Sequence, residues 1–100
     1  MLTHIVMWKF KDQAEGADKA TNLAKAKALL EACANLSPGT HRFEVATAQP
    51  GLEATYDLVL NSQFTDAAAL AAYADHPQHL ALKPFLGAMR LERQCMDYTT

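Results

Sequence analysis

Two histidines and a tyrosine lie close together around a proline, in the segment Tyr73-Ala-Asp-His76-Pro77-Gln-His79. Pro77 has no amide hydrogen, and it disfavours helical geometry at the residue before it. We therefore expect a helix over residues 67–75 to break near His76. Because proline is favoured at the first position of a helix, a second, short helix is expected to begin at Pro77.

These two helices would bring a phenol and an imidazole near each other. His79 would lie in the first turn of the second helix, where the positive end of the helix dipole and partial burial both disfavour an imidazolium ion. A neutral imidazole can accept a proton and the Tyr73 phenol lies upstream, so the pair is a candidate for acid–base catalysis. The alternative is a hydrogen bond that stabilises the helix break, with Tyr73 simply filling the core.

His76 and His4 add two more titratable groups to this set. His76 directly precedes Pro77, where a residue is more often a helix cap than a catalyst, and pocket lining is its alternative role. The spacing of His76 and His79 would permit a divalent metal, with His4 as a third ligand, but no cysteine or carboxylate completes the set. We therefore predict no metal site beyond adventitious binding.

The composition indicates one small domain over residues 1–100, half of them hydrophobic. The 11 acidic and 9 basic residues are dispersed and give a formal net charge of −2, so nucleic acid is not expected as a partner. No run approaches the ~20 apolar residues of a membrane span, and the N-terminus is too interrupted for a signal peptide. Cys33 and Cys95 have no metal-ligand spacing, which predicts a reduced, cytoplasmic protein with two buried, free thiols.

The elements that must position the histidines follow from hydrophobic periodicity and turn residues. Four strands are predicted over residues 2–11, 43–47, 56–64 and 89–98, and helices over 18–34, 67–75 and 77–83, the last ending at Lys83-Pro84. This β-α-β-β-α-β order predicts an α+β, ferredoxin-like fold: a four-stranded antiparallel sheet with helices on one face. Sequential pairing would place the first and third strands in the centre.

The first strand is largely apolar on both of its faces. One face carries His4, Val6, Trp8 and Phe10, and the other carries Thr3, Ile5, Met7 and Lys9. Since one layer of helices covers only one face, the second face predicts a homodimer formed through the sheet. Lys9 is expected to pair with Asp57 across neighbouring strands, either as a solvated pair or to set the dimer register.

Several blocks, spread over the whole chain, resemble one known family. They are His4-Ile-Val-x-Trp8-Lys9-Phe10, Phe43-Glu44-Val45, Tyr56-Asp57-Leu-Val-Leu, Phe64 followed by Tyr73-x-x-His76-Pro77-x-His79, and Met96-Asp97-Tyr98. In this order they are similar to the stress-responsive A/B barrel (Dabb) family. The resemblance implies a dimeric α/β barrel, in which two ferredoxin-like protomers pack sheet to sheet with their helices outside.

The resemblance also implies roles for particular residues. The best-defined enzyme of the family is a plant polyketide cyclase, which performs an intramolecular aldol condensation without a cofactor. Its catalytic tyrosine and histidine match Tyr73 and His79, and two of its pocket histidines match His4 and His76. A further pocket histidine on the third strand is replaced here by Leu58.

These observations lead to two classes of function. In the first, Tyr73 and His79 perform cofactor-free acid–base chemistry on a hydrophobic carbonyl compound, as a cyclase, lyase or isomerase. In the second, the same pocket binds a small molecule without turnover, or the protein acts as a stress-associated dimeric module. For both, the residues expected to line the pocket are His4, His76, Val6, Trp8 and Leu58.

Overall fold

Four strands form one antiparallel sheet in the computed structural model, which describes residues 1–100. In chain order the elements are β1 (Leu2–Phe10), β2 (Gln13–Ala14), β3 (Ala17–Asp18), α1 (Lys19–Glu31), β4 (Thr40–Thr47), β5 (Leu58–Phe64), α2 (Ala67–Ala74), α3 (Pro77–Leu80), α4 (Lys83–Met89) and β6 (Arg90–Thr99). The sheet order is β4-β5-β1-β6. The ferredoxin-like fold is therefore confirmed, with β1 and β5 in the centre as predicted.

The helices cover one face of the sheet, and the core lies between them. Val6, Trp8 and Phe10 on β1 are buried, as are Leu60 and Phe64 on β5, and all five point towards the helices. Since successive side chains of a strand alternate between faces, the residues between them point the other way. The periodicity of the first strand thus separated the two faces correctly.

A two-stranded hairpin, β2–β3, follows β1 and was not anticipated from the sequence. Its two turn residues, Glu15 and Gly16, have φ values of 51° and 78°, as a tight hairpin turn requires. The Asn22 side chain on α1 is buried and donates hydrogen bonds to the carbonyl oxygens of Ala14 and Ala17. Because this contact with α1 stabilises the hairpin, the sequence of residues 13–18 alone does not predict it.

The segment after β5 contains three helices where two were expected. α3 has only four residues, and Lys83-Pro84 begins α4 instead of ending a helix. Proline is compatible with the first turn of a helix, because the amide hydrogens there have no partner within the helix. No helix in the chain has both the length and the apolar character needed to cross a membrane.

The predicted pair between Lys9 and Asp57 is wrong. Lys9 lies opposite Glu92 on β6 and forms an ion pair with it at 3.5 Å. Asp57 instead accepts a hydrogen bond from the amide of Phe10 at 2.9 Å and lies 3.5 Å from Lys19. Asp57 precedes β5, so its carboxylate lies at the end of the sheet, between the end of β1 and the start of α1.

Both cysteines are free thiols, but only one is buried as predicted. Cys33 lies in the core, whereas Cys95 is exposed on β6. β6 is an edge strand that pairs only with β1, and no helix covers most of its length. Its exposure leaves one edge of the space beneath the helices open to solvent.

Candidate active site

A cavity of about 380 Å³ lies between the sheet and the helices. Its floor is formed by β1 and β5, its walls by α1, α2, α3 and α4, and its open edge by β6. The lining residues are His4, Val6, Trp8, Leu30, Leu60, Tyr73, Ala74, His79, Lys83, Leu86, Gly87, Arg90 and Arg93. The interior is therefore apolar apart from a few titratable groups.

Tyr73 is the largest fully buried side chain in the protein and reaches this cavity from α2. α2 begins at Ala67 because the Asp66 carboxylate caps it, accepting the Ala69 amide hydrogen at 2.9 Å. The Tyr73 ring packs against Phe43 and Phe64, with ring centroids 5.5 and 5.4 Å away. Its hydroxyl group is buried and has no hydrogen-bond partner.

An unpartnered buried hydroxyl is costly, since it has lost its hydrogen bonds to water without replacement. Burial raises the pKa of Tyr73 well above its ordinary value, so the phenol keeps its proton. No protein group accepts its hydrogen, so a ligand oxygen brought into contact with the phenol would meet no competing acceptor.

His79 lies beside Tyr73, with a distance of 4.5 Å between the ring centroids. Its Nδ1 atom is 2.9 Å from the Ala74 carbonyl oxygen, which is free to accept because α2 ends there. A carbonyl only accepts, so Nδ1 carries the proton and Nε2 holds a lone pair in the neutral ring. The arrangement supplies a base at Nε2 next to a donor at Tyr73.

Burial is the main reason that the pKa of His79 lies below its ordinary value of 6.5. The hydrogen bond to Ala74 acts in the opposite direction, and the charges of Lys83 and Arg93 lower the pKa further. This direction was predicted from the helix dipole together with partial burial, and burial is the main cause. α3 has only four residues, which is too short for a large helix dipole.

His4 reaches the cavity from β1, opposite Asp97 on β6. Its Nδ1 atom donates a hydrogen bond of 2.5 Å to the Asp97 carboxylate, and its ring centroid is 6.5 Å from that of Tyr73. The carboxylate fixes the orientation of the ring and leaves Nε2 as the remaining ring nitrogen. Val6 and Trp8, on the same face, line the floor of the cavity as expected.

His76 and Leu58 do not line the cavity, unlike the other predicted site residues. The Nδ1 atom of His76 accepts the Gln78 amide hydrogen at 3.1 Å and caps α3, which is the role favoured by its position before Pro77. Leu58 is buried in the core opposite Trp8, and Leu60 lines the cavity instead.

Three cations at the cavity were missed by sequence reasoning: Lys83, Arg90 and Arg93. Arg93 lies opposite Trp8, on the helix-facing side of β6 that also carries Cys95 and Asp97. The two-residue period of the last strand could have placed Arg93, Cys95 and Asp97 on one face. That this face meets the cavity depends on the pairing of β6 with β1.

One group of three side chains has the donor types of a metal site. The ligand atoms of His4, Cys95 and Asp97 all lie within 4.8 Å of one another. A metal there would have to displace the hydrogen bond from His4 to Asp97 and the longer one, 3.7 Å, from the Cys95 thiol to the same carboxylate. His76 and His79, the ligands considered from the sequence, each use Nδ1 in a hydrogen bond to the backbone. We therefore assign all five side chains to hydrogen bonding.

Solved structures from several bacteria are similar to this chain over nearly all of its length. A dimeric protein with a ferredoxin-like fold from Bacteroides fragilis is 28% identical, with a TM-score of 0.81, covering 99% of this chain and 95% of that chain. A dimeric ferredoxin-like protein from Jannaschia sp. CCS1 is 28% identical, with a TM-score of 0.75, covering 99% and 98%. A Dabb family protein from Mesorhizobium loti is 25% identical, with a TM-score of 0.68, covering 99% and 95%. No curated protein matches the chain.

The sequence as a whole matches one protein family, the stress responsive A/B barrel domain, over residues 2–100. The sheet order and the helices on one face agree with the ferredoxin-like fold described for the similar structures. This chain belongs to the stress responsive A/B barrel domain (Dabb) family.

Proposed function

We propose that this protein is an enzyme that acts on a small, largely hydrophobic carbonyl compound by acid–base chemistry and without a cofactor. The observation that carries the proposal is the buried, unpartnered hydroxyl of Tyr73 beside the neutral ring of His79. A core tyrosine without a function would be expected to bond its hydroxyl to a protein group. The cavity around it is large enough for a small molecule.

The reaction begins with removal of a proton from the carbon next to a carbonyl group. His79 Nε2 takes this proton, and the hydrogen bond from Nδ1 to Ala74 stabilises the ring as it becomes charged. Tyr73 donates a hydrogen bond to the carbonyl oxygen and stabilises the negative charge as this becomes an enolate oxygen. In a cyclase the enolate then attacks a second carbonyl of the same molecule, and the alkoxide that forms takes the proton back from His79. In an isomerase His79 returns the proton to another carbon that is conjugated with the enolate.

Two residues position these groups without taking part in bond making. His4, held by Asp97, packs edge-on against the Tyr73 ring. Phe64 contacts both rings and fills the space behind them. Together His4 and Phe64 limit the positions that the phenol can adopt. A phenol held in one position reacts with a bound substrate as if it were present at a high effective concentration.

Deuterium exchange tests the first step without knowledge of the natural substrate. The probe is a 2-methyl-3-oxohexanoyl thioester, whose single C2 proton is followed by NMR in D₂O with the buffer rate subtracted. We expect the protein to accelerate exchange and the His79→Ala variant to lose nearly all of this acceleration. His41→Ala is the control, because His41 is bonded to Thr65 and lies outside the cavity.

Exchange that is equal in the presence and absence of the protein would exclude this chemistry for the probe class. If the probe bound without exchange, the second function, a small-molecule-binding module, would be supported instead. Loss of acceleration in His41→Ala as well would show that the histidine effect is not specific to the cavity.

We also propose that the protein is a homodimer formed through the outer face of the sheet. Ile5, Met7 and Val59 are apolar and lie on this face, which no helix of the chain covers. Met96 and Tyr98 on β6 share the face and are 66% and 39% exposed. The similar proteins from Bacteroides fragilis and Jannaschia are described as dimeric, which supports the same assembly here.

A further inference from the structure

We propose that the ligand of this cavity is an amphipathic oxyanion, whose apolar body lies against the sheet and whose carboxylate or phosphate group binds at Arg93, Arg90 and Lys83. This inference rests on the proposed function, since it assigns a substrate class to the same site. It concerns binding alone and can be tested without turnover.

The charges around the cavity are all of one sign. Lys83, Arg90 and Arg93 line it, and no aspartate or glutamate does. The chain as a whole has 11 acidic and 9 basic residues, so its overall composition does not account for this local excess of positive charge. A ligand entering here therefore meets a positive rim in an otherwise acidic protein.

None of the three cations has a carboxylate partner within the protein. The ion pairs of the chain involve Lys9, Lys19, Lys27, Arg42 and His4 instead. Asp97, the acidic residue nearest to Arg93 along the same face of β6, is engaged by His4. The positive charge at the rim is thus left available for a ligand.

The register of the sheet separates this positive rim from the Asp97–His4 pair. Arg93 lies opposite Trp8, and Asp97 lies opposite His4. On β1 these two levels are four residues apart, from His4 to Trp8, which is roughly 13 Å along the strand. Val6, between the two levels, and Trp8, at the level of Arg93, form an apolar floor, which fits a ligand with an anionic end and an apolar body.

The buried end of the cavity independently indicates a ligand with an oxygen acceptor. The Tyr73 hydroxyl is unpartnered in a side chain that is only 1% exposed. A guanidinium group binds carboxylate and phosphate oxygens with two parallel hydrogen bonds, so the rim suits either oxyanion. The ligand would then have a carbonyl oxygen at Tyr73 and an oxyanion at the rim.

Three probes with one apolar body separate charge from shape: 4-phenylbutanoate, 4-phenylbutyl phosphate and the neutral 4-phenylbutanamide. Isothermal titration calorimetry at low salt should show at least one anion binding about tenfold or more tighter than the amide, the ratio for one charge-assisted hydrogen bond. The tighter anion identifies the oxyanion as carboxylate or phosphate. The preference should shrink as salt is raised.

The Arg93→Gln variant should lose most of this preference while its affinity for the amide stays the same. The matched control is Lys11→Gln, which removes an equal charge from an exposed residue outside the cavity. Equal affinity for all three probes, or no binding of any, would overturn the inference. An unchanged preference for the anions in Arg93→Gln would also overturn it. A change in dimer dissociation as the only effect of Arg93→Gln would overturn it too, since the cations would then contact a second copy of the chain.

The two proposals fail in different experiments. If deuterium exchange depends on His79 but the probes bind equally, the enzyme proposal stands and the oxyanion inference does not. If the anions bind preferentially but no exchange occurs, the cavity binds oxyanions without the proposed chemistry.

Discussion

A buried hydroxyl without a partner is the most informative single group in this protein, because it distinguishes a structural tyrosine from a functional one. We predict that Tyr73→Phe leaves the free energy of unfolding unchanged or raises it by up to about 1 kcal/mol, since the lost hydroxyl makes no hydrogen bond. The same variant should slow deuterium exchange about 100- to 1,000-fold, as expected for loss of one oxyanion donor.

Chemical denaturation and the exchange assay measure the two effects on the same variant. A clear loss of stability in Tyr73→Phe would mean that the hydroxyl has a partner in solution. The phenol would then be structural, and the central observation behind the proposed function would be removed.

His79 offers a second prediction at the residue scale, concerning pH. Its pKa in the folded protein lies below 6.5, mainly because of burial. In the unfolded chain, histidine binds a proton as the pH falls through about 6.5. Between that pH and the lower folded pKa, the unfolded state holds more protons, so the contribution of His79 to stability declines as the pH falls.

NMR titration of the ring signals gives the folded pKa directly. Unfolding free energies measured between pH 5 and 7.5 should depend less on pH in His79→Gln than in the unmodified protein. A His79 that titrates above 6.5 would contradict its assignment as the base.

At the scale of elements, the position of α2 depends on a close approach by Gly39. A methyl group added at Gly39 would lie 2.5 Å from the Cβ atom of Ala69, which belongs to the helix and cannot rotate away. Nearby, the Ser37 hydroxyl donates to the Ala69 carbonyl at 2.9 Å, and the Gly39 carbonyl accepts the Thr65 amide hydrogen at 2.9 Å. The loop before β4 is thus fixed against the start of α2.

We predict that Gly39→Ala lowers the free energy of unfolding by about 1–3 kcal/mol, the usual cost of overpacking. Gly87→Ala on α4 is the control, because its added methyl group meets no atom within 4 Å and alanine favours a helix. Thermal and chemical denaturation compare the two variants. Equal stability of both would show that the loop yields without cost, and α2 would not be held by this contact.

His76 is the N-cap of α3, at the break between α2 and α3. Its Nδ1 atom accepts the Gln78 amide hydrogen at 3.1 Å. We predict that His76→Ala lowers the free energy of unfolding by about 1 kcal/mol, whereas His76→Asn keeps most of the stability because asparagine is a good cap. Both variants should keep the exchange activity. A loss of exchange in a stable His76→Asn protein would instead return His76 to the site, as the family resemblance implied.

At the scale of the whole molecule, assembly is the main prediction. We expect a dimer at micromolar concentration in analytical ultracentrifugation. Met7→Asp should give a monomer or an aggregate, because it places an unpaired charge in an apolar interface. Thr21→Asp is the control, since it adds the same charge at an exposed residue of α1, on the side of the protein away from the proposed interface. A monomeric unmodified protein, or a dimeric Met7→Asp variant, would exclude assembly through this face.

Much of the fold could be predicted from the sequence, because it depends on local patterns. The alternation of His4, Val6 and Trp8 identified the helix-facing side of β1, and Pro77 marked the break between two helices. The same break brought Tyr73 and His79 together as predicted. Backbone restriction by proline and the two-residue period of a strand act within a few residues, so the sequence alone determines them.

Only the tertiary structure decided which side chains line the cavity and what charge they carry. It placed Leu60 at the cavity instead of Leu58, made His76 a cap, and brought Arg93 to the rim through its pairing with Trp8. It also left the Tyr73 hydroxyl without a partner. These outcomes depend on strand register and on helix packing between residues far apart in the chain, where a shift of one residue reverses the face that a side chain occupies.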